Sequence, residues 1–254
     1  MEEKNPIQVA DRLFQAVELL AANGPTGLME LSNSLELNKS TVHRILNSLM
    51  YMGYVKQDSD TLKYKLTLKI WKIANQVMRQ TDIIDVARPY LKRLAAATGE
   101  TVHLVQMDDK EAIYIDKVEA NQNSVRLVSQ VGKSIPLYCS GVGKALLAEM
   151  EDKKIKKLWD RSDKKARTHN TITGFEAFMK EIALIRKKGY AMDNEENELG
   201  VRCIAAALKQ EGAIPVYAFS ISAPVTRMQK GREEELRDEI LQVKEQLSKE
   251  VFAS

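Results

Sequence analysis

Five residues in a short stretch, Ser40, Thr41, His43, Arg44 and Asn47, are of the types that bond phosphate oxygens and base edges. Lys39 adds a cation beside them. That chemistry requires a scaffold presenting them together. They lie in Asn38-Lys-Ser-Thr-Val-His-Arg-Ile-Leu-Asn-Ser-Leu-Met-Tyr-Met52, where Val42, Ile45, Leu46 and Leu49 recur at helical spacing and predict one apolar stripe. At about 100° per residue, Ser40, Arg44 and Asn47 fall opposite that stripe, with Thr41 and His43 beside them. Asn38 is a natural N-cap. Upstream, Leu28, Leu31 and Leu35 mark a shorter helix, and Glu36-Leu37-Asn38 forms the turn between the two. This fragment by itself is either an ordinary helical hairpin or a helix-turn-helix.

The residues after this helix favour the helix-turn-helix. Gly53 ends the helix, and Tyr54-Val55-Lys56-Gln57 has the composition of a strand. Asp58-Ser59-Asp60 turns the chain, and Leu62-Lys63-Tyr64-Lys65-Leu66 alternates like a returning strand. A hairpin carrying Lys56, Lys63 and Lys65 after a helix-turn-helix is a winged helix. Charge agrees: residues 1–38 hold two Lys/Arg against six Asp/Glu, whereas residues 39–79 hold eight against two. Positive charge concentrated on the recognition helix, wing and following helix is the footprint of a protein that binds double-stranded DNA.

The chain has 254 residues, enough for two domains. Hydrophobic residues make up 44% and charged residues 29%, the balance of a soluble globular protein. The start, Met-Glu-Glu-Lys-Asn-Pro, has no apolar run, and no segment approaches a membrane span. Two cysteines, Cys139 and Cys203, do not make a disulfide framework. A reduced, cytoplasmic home without membrane contact is expected. The chain divides into residues 1–66 as the winged helix, 67–82 as a connector helix capped by Thr67, and 83–254 as a second domain. In the first helix, about 7–22, Ile7, Ala10, Leu13, Phe14, Val17 and Leu20 form the predicted buried stripe. Ile70, Trp71, Ala74, Val77 and Met78 form the apolar side of the connector, a candidate dimer contact.

The second domain reads as mixed α and β. Helices are predicted over 83–98, 141–150, 151–159 and 175–188, and strands at 101–106, 112–118, 124–131, 190–193, 202–208 and 215–222. A closing helix is buried through Leu236, Ile240, Val243 and Leu247. The fold class is α+β, with a sheet able to hold a small ligand.

Within this domain Ser140-Gly141-Val142-Gly143 opens an apolar helix. Glycines there leave backbone N–H groups open, and a helix N-terminus favours an anion. The fragment alone favours a plain helix entry with tight packing. It lacks the spacing of a phosphate-binding loop. Glu195, Glu196 and Glu198 read as a solvated acidic turn, although with Asp193 they offer carboxylates to a metal; no metal or cofactor is predicted. His103 reads as a partner of the backbone, and Cys139 has only Lys144 as a basic neighbour. Cys203, His103 and Asp193 supply the residue types of a cysteine-dependent enzyme, but no nucleophile motif surrounds Cys203. Catalysis is therefore the remote alternative.

Ordered blocks along the chain resemble the IclR family of bacterial transcription regulators. They are Ser40-Thr-Val-His-Arg-Ile-Leu46, Val86-Ala-Arg-Pro-Tyr-Leu91, Thr98-Gly-Glu-Thr-Val-His-Leu104, Gly143-Lys-Ala-Leu-Leu-Ala148, Asp193-Asn-Glu-Glu196 and Gly200-Val-Arg-Cys-Ile-Ala205. The resemblance runs from about Gln8 to Val251, and within the family it is closest to repressors of sugar-acid catabolism that answer to 2-keto-3-deoxygluconate. It implies an N-terminal winged helix and a GAF-like effector-binding domain. It also implies effector contacts at Gly141 and Val142, at Asp193 and Cys203, and at Ser220 and Ser222, two apart on one strand face. Leu137, Leu146 and Ile204 would wall such a pocket. The expected protein is a homodimer or tetramer that binds an operator and a small carboxylate, a 2-oxo or sugar acid. An activator of aromatic-acid catabolism, with Met107 and Ile115 lining the site, is the alternative.

Overall fold

The computed structural model describes residues 7–79, 83–119, 129–208, 216–228 and 231–252. Two compact units divide the chain, Met1–Thr81 and Asp82–Ser254.

In the first unit, helix α1 (Gln8–Asn23) leads to α2 (Leu28–Ser34) and α3 (Lys39–Tyr51). Strands β1 (Val55–Gln57) and β2 (Tyr64–Leu66) pair antiparallel with Val55 opposite Leu66. Helix α4 (Lys69–Arg79) comes next. Ala16, Leu20 and Leu31 pack against Val42, Ile45, Leu46 and Leu49 of α3, and Val55 and Tyr64 of the hairpin complete the core. Thr67 donates to the Gly53 carbonyl at 2.7 Å and accepts from the Lys69 N–H at 3.2 Å, so it joins the end of α3 to the start of α4. The stripe expected on α1 is corrected in two places. Ile7 is 63% and Phe14 67% exposed, while small Ala16 takes the buried position where the helices come close. Trp71 and Ala74 of α4 are exposed as well, and the side chains of Val77 and Met78 lie outside the described residues. Leu13, Phe14, Val17, Leu49, Met52, Tyr54, Ile70 and Ile73 instead line an apolar groove of about 440 Å³.

The second unit is built on a six-stranded antiparallel sheet. Its strands are β3 (Thr101–Asp108), β4 (Glu111–Val118), β5 (Ser134–Pro136), β6 (Ala191–Asn194), β7 (Val201–Ala207) and β8 (Tyr217–Pro224), in the order β5-β4-β3-β8-β7-β6. The helices are α5 (Ile83–Thr98), α6 (Gly141–Ala148), α7 (Asp152–Arg161), α8 (Phe175–Lys188) and α9 (Arg232–Val251). Strand alternation gives the sheet two faces. Val105, Ala205 and Ala218 face the cluster built by α6, α7 and α8, with Phe178, Ile182 and Ile185 at its centre. Their neighbours Leu104, Ile204 and Phe219 point the other way, where α5 and α9 pack on the sheet. Leu236, Ile240, Val243 and Leu247 of α9 are all buried there, as their spacing predicts. The expected strand at 124–131 lies mostly outside the described residues; Ser129–Val131 are not in a strand, and β5 comes later.

α6 is buried along its whole length. A Cβ added at Gly143 would stand 2.3 Å from the Leu137 Cα, so this turn closes only with glycine. Among the described residues, no helix is long and apolar enough to cross a membrane.

Candidate DNA interface and effector pocket

On α3 the buried face is Val42, Ile45, Leu46 and Leu49, and Lys39, Ser40, His43, Arg44 and Asn47 are exposed, with Thr41 half-buried. The Asn38 side chain caps the helix, accepting from the Thr41 N–H at 3.1 Å. Both neighbouring hydroxyls also donate to it, Thr41 at 2.6 Å and Ser40 at 3.1 Å. Their oxygens keep lone pairs, but their protons serve the cap. Asn47 lies 3.3 Å from the His43 ring nitrogen, one turn apart. Among the described residues the Arg44 guanidinium makes no hydrogen bond, which leaves its five donors for an outside partner. In the hairpin Lys56 and Lys63 are exposed. Lys65 is different: its ammonium reaches Asp58 at 3.2 Å. The Thr61 N–H, then Lys65, hold the Asp58 carboxyl down at about 2. Lys65 thus has a partner within the hairpin that sequence reasoning did not foresee.

The second set of residues comes together on the α6 face of the sheet. In register, Asp193 stands opposite Cys203 and Cys203 opposite Ser222, while Ser220 lies between Ala205 and His103. The start of α6 closes over this row, since a Cβ on Gly141 would meet Ala205 at 3.3 Å and the Asp193 backbone nitrogen at 3.4 Å. Ser140 caps α6 by accepting from the Gly143 N–H at 3.1 Å, and it donates to the Pro136 carbonyl at 2.6 Å. The N–H groups of Gly141 and Val142 have no partner among the described residues. Nor has the Ser220 hydroxyl, although Ser220 is only 3% exposed. On this face the Ser220 hydroxyl and the two amides at the start of α6 are polar groups without partners among the described residues, and they call for an acceptor.

Four expectations from the sequence are corrected by this geometry. Glu196 is not in a solvated turn: it is buried, and it forms an ion pair with Lys144, itself fully buried on α6. Glu181 of α8 lies 3.5 Å from the same ammonium. His103 is not a backbone partner; its ring joins Ser222 at 3.2 Å and Ser129 at 2.7 Å, and burial, with Lys117 nearby, depresses its pKa to about 3. Cys139 has Arg167, not Lys144, as the cation acting on it, and burial pushes its thiol up to about 12. Ile204 also leaves the proposed wall, because Cys203 and Ala205 face α6 and Ile204 therefore faces α9. Tyr114, whose ring centre lies 5.0 Å from that of His103, was not foreseen. Its pairing with Val105 puts it on the pocket face, a relation that emerges only once strands are in register.

Burial raises Asp193 to about 7 despite bonds from the Glu196 and Asn197 N–H groups. The Cys203 thiol, which accepts from Ser222 at 3.0 Å, is pushed far up by burial, so it is no nucleophile at neutral pH. No three His, Cys, Asp or Glu among the described residues are grouped to hold a metal.

Comparison with known proteins gives concordant matches over the two units. Residues 9–59 match the family model of the IclR helix-turn-helix domain, and residues 75–249 match that of the bacterial transcriptional regulator IclR C-terminal region. The chain is 33% identical over 235 residues to the HTH-type transcriptional regulator KdgR of Escherichia coli strain K12, covering 92% of this chain and 89% of that protein. It is 36% identical over 257 residues to the DNA-binding transcriptional repressor YiaJ of the same organism, covering 98% and 91%. A crystal structure of the Thermotoga maritima IclR superposes with a TM-score of 0.80 at 31% identity, covering 95% of this chain and 97% of that one.

Proposed function

Since the chain belongs to the IclR family of transcription regulators, we propose that it is a repressor whose grip on a palindromic operator is released by a small carboxylate, a 2-oxo or sugar acid. Members of this family bind DNA through the helix-turn-helix and respond to small molecules; they are regulators and not enzymes. The similarity to YiaJ, a DNA-binding transcriptional repressor, supports repression.

The set of polar groups at the start of α6 carries the effector reading. Gly141 and Val142 offer two open amides at the positive end of a helix, the arrangement that holds a carboxylate. Ser220, Ser222, Cys203 and Asp193 stand in adjoining register and supply donors and acceptors for neighbouring keto or hydroxyl oxygens. Only a short molecule with oxygens along its length uses them all. On the DNA side, Arg44, His43 and Asn47 would read bases from α3, with Lys39, Ser40 and Thr41 near the backbone. Lys56 and Lys63 would meet phosphate from the wing. Lys65, paired with Asp58, would contribute less than these two.

One recognition helix reads too few base pairs for useful specificity, so two copies must act together. The apolar groove between α1, α3 and α4, with exposed Phe14 beside it, is the surface we assign to that pairing. A thermal-shift screen of short 2-oxo and sugar acids tests the effector class. A true effector at about 100 times its Kd adds ~2.7 kcal/mol to the stability of the unit that binds it. A screen in which only aromatic acids give a shift would overturn the proposed class.

A further inference from the structure

The Asp193 carboxyl is 3% exposed, and its two oxygens have different surroundings. Oδ1 accepts from the Glu196 N–H at 2.7 Å and the Asn197 N–H at 3.3 Å. Oδ2 makes no hydrogen bond among the described residues. The start of α6 lies against this side chain, since a Cβ on Gly141 would be 3.6 Å from the Asp193 Cβ. An effector carboxylate on the Gly141 and Val142 amides would therefore arrive against the Asp193 side chain, whose Oδ2 is the oxygen left for it. Two carboxyl groups brought together away from bulk water retain one proton between them, because both cannot ionise side by side.

Burial outweighs the groups that favour an ionised Asp193, which are the Glu196 and Asn197 N–H groups and Lys144. Lys144 on α6 is the cation that acts on it, but its ammonium is engaged by Glu196 and Glu181. The Cys139 and Cys203 thiols and the Tyr114 phenol, which face Asp193 from the α6 loop, β7 and β4, are kept protonated and uncharged by burial. His103 on β3 is neutral. Glu196, in the turn after β6, is itself raised by burial.

We infer that Asp193 enters the effector complex as the neutral acid, with Oδ2–H donating to the effector carboxylate, so that binding to protein whose Asp193 is ionised takes up one proton. This rests on the acid-effector reading and adds a proton to it. Without ligand, burial already brings Asp193 to about 7. Below that pH the proton is in place and binding takes up none. Above it the proton must come from solvent, and Kd rises by roughly tenfold per pH unit until the bound-state pKa is reached. The same requirement selects a ligand with a single carboxylate at this end over a neutral amide, which would find the acidic proton without charge to meet it.

The test is calorimetry of the full-length protein with pyruvate and with 2-keto-3-deoxygluconate at about pH 6 and about pH 8.5. Each titration is run in two buffers of different ionisation enthalpy, so that the protons taken up can be counted. Uptake near zero at the lower pH and near one at the higher is expected, with a correspondingly weaker Kd at the higher pH. Asp193→Asn keeps an oxygen for the two backbone N–H groups and gives the effector an N–H, so its Kd should be the same at both pH values. A pH-independent Kd in the wild type, or a pH slope that survives in Asp193→Asn, would overturn the inference and leave the acid-effector reading standing. If neither acid binds saturably at either pH, that reading itself fails and the inference goes with it.

Discussion

Arg44 and Lys63 offer DNA different things. Arg44 stands in the middle of the exposed face of α3 with its guanidinium unengaged, and a planar fork of donors can pair with a base edge. Lys63 is an exposed point charge in the wing, directly before β2, suited to phosphate. Arg44→Ala should cost about 1–3 kcal/mol on the specific site and little on random DNA. Lys63→Ala should weaken both alike and lower the salt slope by about one unit. Fluorescence anisotropy over a salt series separates the two, and equal losses on specific and random DNA for Arg44→Ala would remove it from base readout. Gly143 makes a different kind of demand. Its Cβ would collide with backbone at Leu137, and backbone does not yield as a side chain does. Gly143→Ala should cost at least about 1–3 kcal/mol in urea unfolding; an unchanged midpoint would show that the loop adapts.

At the scale of elements, the buried Lys144–Glu196 pair joins α6 to the turn after β6, the two pieces that carry Gly141 and Asp193. Removing one partner leaves an uncompensated charge in the core. Lys144→Met alone should destabilise by about 3–5 kcal/mol, less whatever Glu196 recovers by taking a proton, and adding Glu196→Leu should restore most of the loss. Additive losses in the double variant, measured by denaturant unfolding, would mean the pair does not act as a unit. This pair also shows where sequence reasoning stops. The α3 and α9 stripes were legible because each helix buries one face, so periodicity alone names Val42, Leu46, Leu236 and Ile240. The Asp193 capping of Glu196 and Asn197 looks in sequence like any polar turn, and the cation that buries Glu196 is 52 positions away. Alternation along β7 was visible in the sequence: it puts Cys203 and Ala205 together and excludes Ile204 from their face. His103 needed the pairing of β3 with β8, which no local pattern reveals.

For the whole molecule, segregated charge and an apolar groove on the first unit argue for a protein that meets DNA as a pair. Light scattering at micromolar concentration should find a dimer or tetramer, and Phe14→Glu in the groove should shift the population toward monomer. A monomer in the wild type, with and without DNA, would contradict the pairing. The central claim couples the effector site on the second unit to DNA binding on the first, and by linkage that coupling acts in both directions. It is tested most directly by anisotropy on a duplex that the protein itself selects from a random pool, titrated with a 2-oxo or sugar acid that gives a thermal shift. Wild-type protein should enrich an imperfect palindrome with half-sites about one helical turn apart and lose affinity for it as the acid is added. Ser220→Ala with Ser222→Ala should bind the same duplex and ignore the acid. Release of DNA by the double variant at the wild-type acid concentration would contradict the account.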